Sequence, residues 1–226
     1  MATIATTDQK ARLLDLTTGI LEMARDGNRD YEEVIEVFQV IKEKPNFATI
    51  LGRNSKAVAP KPVPPLLEPV GTVTIPALAD RFNAREKFVL NYGQKAKPGV
   101  RIAYLGDNFE EWFLPMVEQP TAEAVVSYSR LTRSELDRPI LASLGNRPDL
   151  AIFLRQIYWL LCEQSNGEPG TLLNDGWGNI FYAPGLTRAV GVRWHSEFGG
   201  WRVFAGSVAG RFRWYVGDRV FSRNPA

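Results

Sequence analysis

This chain of 226 residues has very little cysteine or histidine: Cys162 and His195 are the single residues of their types. A disulfide within the chain needs two cysteines, and a zinc site built from cysteines or from two histidines needs more ligands, so these are excluded. Cys162 lies in the segment IYWLLCEQ, which predicts a small cysteine in a helix core and disfavours a nucleophile paired with His195. A lone thiol is typical of a reducing compartment, so we expect a cytoplasmic protein.

Long hydrophobic runs are also absent from the sequence. The longest apolar helical stretch, 150–161, is interrupted by Arg155 and Gln156. The first residues, MATIATTDQKARLL, lack the basic start and continuous apolar run of a secretory signal. We therefore expect neither a membrane span nor a membrane partner.

The sequence contains no glycine-rich phosphate loop. Two glycine-containing segments, GDN at 106–108 and NDGWGN at 174–179, have neither the GxxxxGK[ST] form nor the GxGxxG form. This disfavours an ordinary nucleotide-dependent enzyme, and we expect no cofactor.

The N-terminal part does contain helical periodicity. Apolar residues recur at helical spacing within 13–24, and a capping box formed by Asp30 and Glu33 precedes a second apolar stripe in 34–41. The pattern predicts a helical hairpin over residues 1–55, whose apolar stripes would also suit a homo-oligomer. Five prolines within residues 56–69 then predict an extended linker.

Residues 70–226 combine helical and strand patterns. Helices are predicted for 107–114, 134–144 and 148–164, and strands for 70–75, 88–91, 100–105 and 124–129. From Trp177 onward the period is two, in the segments WGNIFYA, RAVGVRW, GWRVFAGSV, RFRWYV and RVFS. We therefore predict the α+β class, with an N-terminal helical hairpin followed by a mixed domain that ends in an antiparallel sheet packed against helices.

Lysine is absent after Lys97, whereas residues 177–223 hold seven arginines and eleven of the 25 aromatic residues. Arginine binds phosphate with its planar fork, and aromatic rings on a strand can stack on bases. Alternation places Arg202 on the sheet face opposite Trp201. The predicted binding surface for nucleic acid or a protein partner consists of Arg193, Arg202, Arg211, Arg213, Arg219, Trp201 and Trp214.

Two other functions stay open beside this non-enzymatic binding module. A hydrolase-type enzyme would combine His195 with scattered acids, namely Asp107, Glu168, Asp175 and Asp218. A structural protein would associate through the helical hairpin, and its arginines would stack on aromatic rings of neighbouring strands without binding a ligand.

Four segments of the domain resemble a family of uncharacterised bacterial proteins. These segments are RIAYLGDNFEEWFL at 101–114, GEPGTLLNDGWGNIFYAP at 167–184, GWRVFAGSV at 200–208 and WYVGDRVFSRN at 214–224. The resemblance covers about residues 100–224, and no activity is assigned to the family. It implies no catalytic residue and no cofactor, only that the domain is a recurring bacterial unit.

Overall fold

The computed structural model describes residues 64–224, together with nine residues nearer the N-terminus (14, 17, 18, 20–22, 32, 34 and 35). Contacts divide the chain into two units, Met1–Val63 and Pro64–Ala226, and every element named below belongs to the second unit. Apart from those nine residues, which are helical, the helical hairpin predicted for residues 1–55 lies outside the described residues, as does most of the predicted linker. The linker prediction ends too late, because a strand begins at Leu67.

Strands are more numerous than helices in the described part of the chain. They are β1 (Leu67–Ile75), β2 (Phe82–Asn83), β3 (Ile102–Leu105), β4 (Val117–Glu118), β5 (Ala124–Leu131), β6 (Glu135–Leu136), β7 (Asn179–Tyr182), β8 (Arg188–His195), β9 (Gly200–Ser207), β10 (Arg213–Trp214) and β11 (Arg219–Arg223). The helices between them are short: α1 (Ala84–Lys87), α2 (Asp107–Trp112), α3 (Asp137–Ser143) and α4 (Leu154–Glu163), with 3-10 turns at Gly93–Lys95 and Pro148–Leu150.

Seven of the strands form one mixed sheet in the order β1-β5-β11-β7-β8-β9-β3. The pairs β11–β7 and β3–β9 are parallel, and the other neighbours are antiparallel. Two short ribbons, β6–β10 and β2–β4, lie outside this sheet. Within the described residues, no helix is long and apolar enough to cross a membrane.

Both faces of the sheet are covered in its middle. Phe181 and Phe221 belong to a larger cluster of buried residues, which the helices α1, α2 and α4 also join. Their chain neighbours Ile180 and Val220 belong to a smaller cluster with α3. Because successive side chains of a strand point to opposite faces, the two clusters lie on opposite sides of the sheet. We call them the larger core and the smaller core.

The predicted fold class is wrong in its main feature. The sheet is mixed, and it recruits β1, β3 and β5 from earlier parts of the chain, so it is no separate C-terminal antiparallel unit. The described elements include no N-terminal helical hairpin, and the three helices predicted for the domain are shorter than expected. The reason is physical: alternation shows that a segment suits a strand, but pairing between distant segments depends on the whole fold.

Local predictions differ from the structure in four places. The segment 88–91, predicted as a strand, is irregular, and only Asn91 bridges to Ile102. The helix predicted from residue 134 begins at Asp137, after the short strand β6. The helix predicted from Pro148 begins at Leu154, and Cys162 on that helix is exposed instead of lying in a core.

A candidate anion-binding cleft

The strands β8 and β9 form a hairpin whose register places two arginines side by side. Arg193 pairs with Arg202, and Trp194 pairs with Trp201. Trp201, which is fully buried, lies in the larger core, and its indole Nε1 donates a hydrogen bond to the carbonyl oxygen of Gln164 at 2.9 Å. Because side chains alternate along a strand, Arg193 and Arg202 lie on the opposite face.

On this face, β8, β9 and β3 border a cleft of about 520 Å³. Its lining combines two guanidinium groups and one imidazole with aromatic rings. The lining residues are Tyr104, Gly176, Arg193, Trp194, His195, Ser196, Arg202, Phe204 and Phe212. We call this site the arginine cleft.

Arg202 is exposed and lies against the ring of Tyr104 on the neighbouring strand. Its guanidinium carbon is 4.7 Å from the ring centroid, and Tyr104 is the register partner of Arg202 across the parallel β3–β9 pair. A bulge between Ile102 and Tyr104 lets Ile102 enter the larger core while Tyr104 faces the cleft. Among the described residues, Arg202 has no ion-pair partner.

Arg193 is held more firmly than Arg202. Its Nη2 lies 3.6 Å from Oδ2 of Asp218, and its guanidinium carbon is about equally far from two rings, 6.0 Å from Phe204 and 5.9 Å from Tyr215. The Nε and Nη2 atoms of Arg193 are buried and have no hydrogen-bond partner in the described structure. These two nitrogen atoms face Asp218, while the side chain as a whole is 28% exposed, so only the exposed part of the guanidinium can contact an anion in the cleft.

Asp218 fixes the position of Arg193 from beneath. The carboxylate is fully buried and accepts hydrogen bonds from the backbone N–H groups of Gly178, at 2.7 Å, and Tyr215, at 2.9 Å. Burial raises the pKa of Asp218, and the two backbone hydrogen bonds and the charge of Arg193 oppose this rise. A Cβ atom at Gly178 would lie 3.1 Å from Oδ1 of Asp218 and 3.2 Å from Nε of Arg193, so glycine leaves room for the pair.

Phe204 and Phe212 form one wall of the cleft, and Trp214 packs behind them. Phe204 stacks on Trp214 at 5.9 Å between ring centroids, and Phe212 meets Trp214 edge-on at 4.9 Å. Trp214 is buried, and its Nε1 donates a 2.8 Å hydrogen bond to Asp137. Gly191 makes the close packing of Phe204 possible, because a Cβ atom there would lie 2.4 Å from the Phe204 ring.

His195 closes β8 at the rim of the arginine cleft. Its ring lies 4.7 Å from that of Phe198, and its Nδ1 atom is buried without a hydrogen-bond partner in the described structure. An imidazole in this position can donate a hydrogen bond to an anion beside Arg193.

The predicted surface residues fall into three groups. Arg193 and Arg202 line the arginine cleft together. Trp201 and Trp214 are buried in the larger and the smaller core, so neither offers an exposed ring. The remaining three arginines do not line the cleft.

Arg211 and Arg213 are exposed and flank Phe212, but neither lines the cleft. The Nη1 atom of Arg213 donates to the carbonyl oxygen of Ser134 at 3.2 Å. Arg219 shares the sheet face of the larger core, where its guanidinium lies 4.9 Å from the Tyr128 ring and donates to the carbonyl oxygen of Thr171.

The sequence offered a signal for only part of the cleft. Alternation puts Phe204 on the same face as Arg202, so the aromatic wall could have been anticipated from β9. Tyr104 carries no such signal, because its position depends on the bulge and on the parallel pairing of β3 with β9.

The carboxylates of the predicted hydrolase do not line the arginine cleft. Asp107 lies in the first turn of α2, and Glu168 accepts hydrogen bonds from Asn166. Asp175 caps the backbone N–H of Trp177, and Asp218 lies beneath Arg193. Within the residues that the structure describes, no cluster of three His, Cys, Asp or Glu side chains could hold a metal ion.

No protein-family model matches the chain, and no curated protein and no solved structure is significantly similar to it.

Proposed function

We propose that this protein is a non-enzymatic binding module that holds a single strand of nucleic acid in the arginine cleft. The observation that carries the proposal is the pairing of Arg193 with Arg202 on an open part of the sheet, between the Tyr104 ring and the Phe204–Phe212 wall. Proteins that bind single strands combine a basic groove for phosphates with rings on which bases stack.

The two arginines have different roles in this proposal. Arg193 is positioned by Asp218 and exposes part of its guanidinium in the cleft at a fixed place, so it binds one phosphate with little loss of side-chain freedom. Arg202 is exposed and binds a neighbouring phosphate, while Tyr104 beneath it can stack on a base at the rim.

The composition of the cleft supports nucleic acid over the two alternatives. A hydrolase would need a carboxylate beside His195, and the lining of the described cleft contains none. An inert sheet would pair its arginines within the protein, whereas Arg202 is exposed in the cleft and has no ion-pair partner among the described residues.

The direct test is a salt titration of the binding of a labelled single-stranded oligonucleotide, followed by fluorescence anisotropy. We expect the Arg202→Ser variant to reduce the slope of log affinity against log salt by about 0.7, the value for one lost phosphate contact on a single strand. We expect Tyr104→Ala to weaken binding about 5- to 150-fold, which corresponds to the loss of one stacked base.

Arg211→Ser is the matched control, because it removes the same charge from the same part of the chain at a position outside the cleft. Its slope should stay close to that of the unchanged protein. An absence of binding at low salt, or equal effects of Arg202→Ser and Arg211→Ser, would contradict the proposed function.

A further inference from the structure

The lysines of the described domain have an uneven distribution. Residues 64–224 contain fifteen arginines but only three lysines, Lys87, Lys95 and Lys97. All three lysines are exposed, and all three line one groove of about 410 Å³. We call this second site the lysine groove.

The loop that carries two of these lysines is fixed by a single side chain. The Nδ2 atom of Asn91 donates to the carbonyl oxygens of Lys97, at 3.0 Å, and Val100, at 3.1 Å, while its Oδ1 accepts the N–H of Lys97 at 2.7 Å. The backbone N–H of Asn91 donates to Ile102 at 2.8 Å, which attaches the loop to β3. The backbone of the loop that carries Lys95 and Lys97 is thus held in place without a ligand.

The charges in the lysine groove are open to a ligand. No lysine of the groove forms an ion pair with a described residue. Glu86 is the acid among the lining residues, and its Oε1 accepts a hydrogen bond from Nδ2 of Asn83 at 2.8 Å. The groove thus has three lysine charges and one carboxylate, which is already hydrogen-bonded to Asn83. This excess of positive charge favours the binding of a polyanion.

The strand β3 connects the lysine groove to the arginine cleft. It is the last strand at its end of the described sheet, and Tyr104 on β3 faces the cleft. Ile102, two positions earlier, bridges to Asn91 of the groove. Neighbouring strands lie about 5 Å apart and residues rise about 3.3 Å each, so the two sites adjoin across one edge strand.

We propose that the nucleic-acid strand in the arginine cleft passes round the edge of β3, and that its phosphates bind Lys87, Lys95 and Lys97. This inference rests on the proposed function of the cleft. Phosphate is the ligand chemistry that fits, because lysine is a compact point charge that binds phosphate without the planar geometry of arginine. Sites for single strands usually cover about 4 to 16 nucleotides. A strand at the longer end of this range can contact both the arginine cleft and the lysine groove.

The experiment compares a 4-nucleotide and a 16-nucleotide single strand in salt titrations with the full chain. We expect the triple variant Lys87→Gln, Lys95→Gln, Lys97→Gln to lower the salt slope for the longer strand by about 2, the sum for three phosphate contacts. The slope for the shorter strand should not change, because that strand fills only the arginine cleft.

Two control variants separate the groove from general charge and from damage to the fold. The triple variant Arg130→Gln, Arg138→Gln, Arg147→Gln makes the same change in net charge at exposed positions outside the groove, and it should lower the slope less. The variant Lys87→Arg, Lys95→Arg, Lys97→Arg keeps the charge, and we expect it to keep the slope.

The outcomes distinguish this inference from the proposed function. If neither oligonucleotide binds the unchanged protein at low salt, the proposed function fails. If the longer strand binds but its slope is the same for the unchanged protein and the lysine-to-glutamine variant, the groove inference fails and the proposed function stands. An equal loss for the two strand lengths also overturns the groove inference.

Discussion

Asp137 joins three parts of the structure through one carboxyl oxygen. Its Oδ1 accepts hydrogen bonds from Tyr182 Oη, at 3.0 Å, and from Trp214 Nε1, at 2.8 Å. The carboxyl is buried, which raises its pKa, and the two hydrogen bonds oppose that rise. Asp137 therefore holds Trp214 in place behind the Phe204–Phe212 wall of the arginine cleft.

We predict that Asp137→Ala lowers the free energy of unfolding by about 2 to 4 kcal/mol, because it leaves the donors of Tyr182 and Trp214 buried without an acceptor. Asp137→Asn keeps the accepting oxygen and should lose much less. Urea unfolding of both variants measures the difference. Equal midpoints for the alanine and asparagine variants would show that these hydrogen bonds do not stabilise the fold.

The same carboxyl predicts a pH dependence of stability. Because its pKa is raised above the ordinary 3.8, the folded state binds the proton more tightly than the unfolded state does. The stability contributed by protonated Asp137 is therefore present below pH 3.8 and is lost as the pH rises through the raised folded-state pKa.

Glu118 and Asp218 are also buried, and burial raises the pKa of each. Their contributions to stability therefore also decrease as the pH rises. The part that belongs to Asp137 is the difference in unfolding free energy between the unchanged protein and Asp137→Asn. We expect this difference to move in favour of the asparagine variant as the pH rises. A difference that is constant with pH would contradict the assignment.

Individual residues show which side-chain positions could be predicted from the sequence alone. The alternation in β8 and β9 correctly separates Trp201, which is in the larger core, from Arg202, which is exposed. The predicted binding surface nevertheless included both Trp201 and Trp214, and both indoles are buried, that of Trp214 against Phe204 and Asp137. Its strand, β10, has two residues, so alternation carries almost no information there.

At the scale of elements, helix α4 shows how a distant residue sets a helix boundary. The carboxylate of Glu118, on β4, accepts hydrogen bonds from the backbone N–H groups of Leu154 and Arg155, each at 2.9 Å. Arg155 is buried too, and its guanidinium donates to the carbonyl oxygens of Gln119 and Asp80. A negative group is stabilising at the N-terminus of a helix, where the backbone N–H groups lack partners within the helix.

We predict that Glu118→Ala lowers the free energy of unfolding by about 2 to 4 kcal/mol, since two buried N–H groups of α4 lose their acceptor. Glu118→Gln retains one acceptor oxygen and should cost less. Asp149→Ala, which removes an exposed carboxylate paired with Arg147, is the control and should change stability little. Thermal unfolding followed by circular dichroism measures all three variants. A loss for Glu118→Ala no larger than the control would contradict the capping role.

The sequence predicted the existence of α4 but not its first residue. Pro148 followed by an apolar run is a common start signal for a helix, and here it begins a 3-10 turn that ends at Leu150. Glu118 is 36 residues from Leu154 in the chain, so no local pattern could reveal the cap.

On the scale of the whole molecule, the sheet organises two cores whose described residues all lie within one unit. The residues described in the larger core run from Ile75 to Phe221, and those in the smaller core from Leu66 to Val220. Both clusters therefore lie within the unit Pro64–Ala226. A unit that contains its own hydrophobic clusters is expected to fold independently.

We predict that residues 64–226, produced alone, unfold cooperatively in urea and retain binding of the 16-nucleotide strand. Circular dichroism and the salt titration described above check the two parts of this prediction. A truncated chain that exposes hydrophobic surface, detected by binding of an apolar dye, would show that residues 1–63 are needed for the fold. Molar mass in solution, compared between the truncated and full chains, tests the predicted association through residues 1–55.

The sequence by itself determined the seven segments that form the strands of the mixed sheet and, in β8 and β9, which side chains face a core, because both follow from the alternation of neighbouring residues. Only the tertiary structure decided that β11 pairs between β5 and β7 and that β3 lies parallel to β9. These pairings join segments far apart in the chain, and their free energy depends on the packing of both sheet faces. The arginine cleft exists only where such a pairing brings Tyr104 beside Arg202.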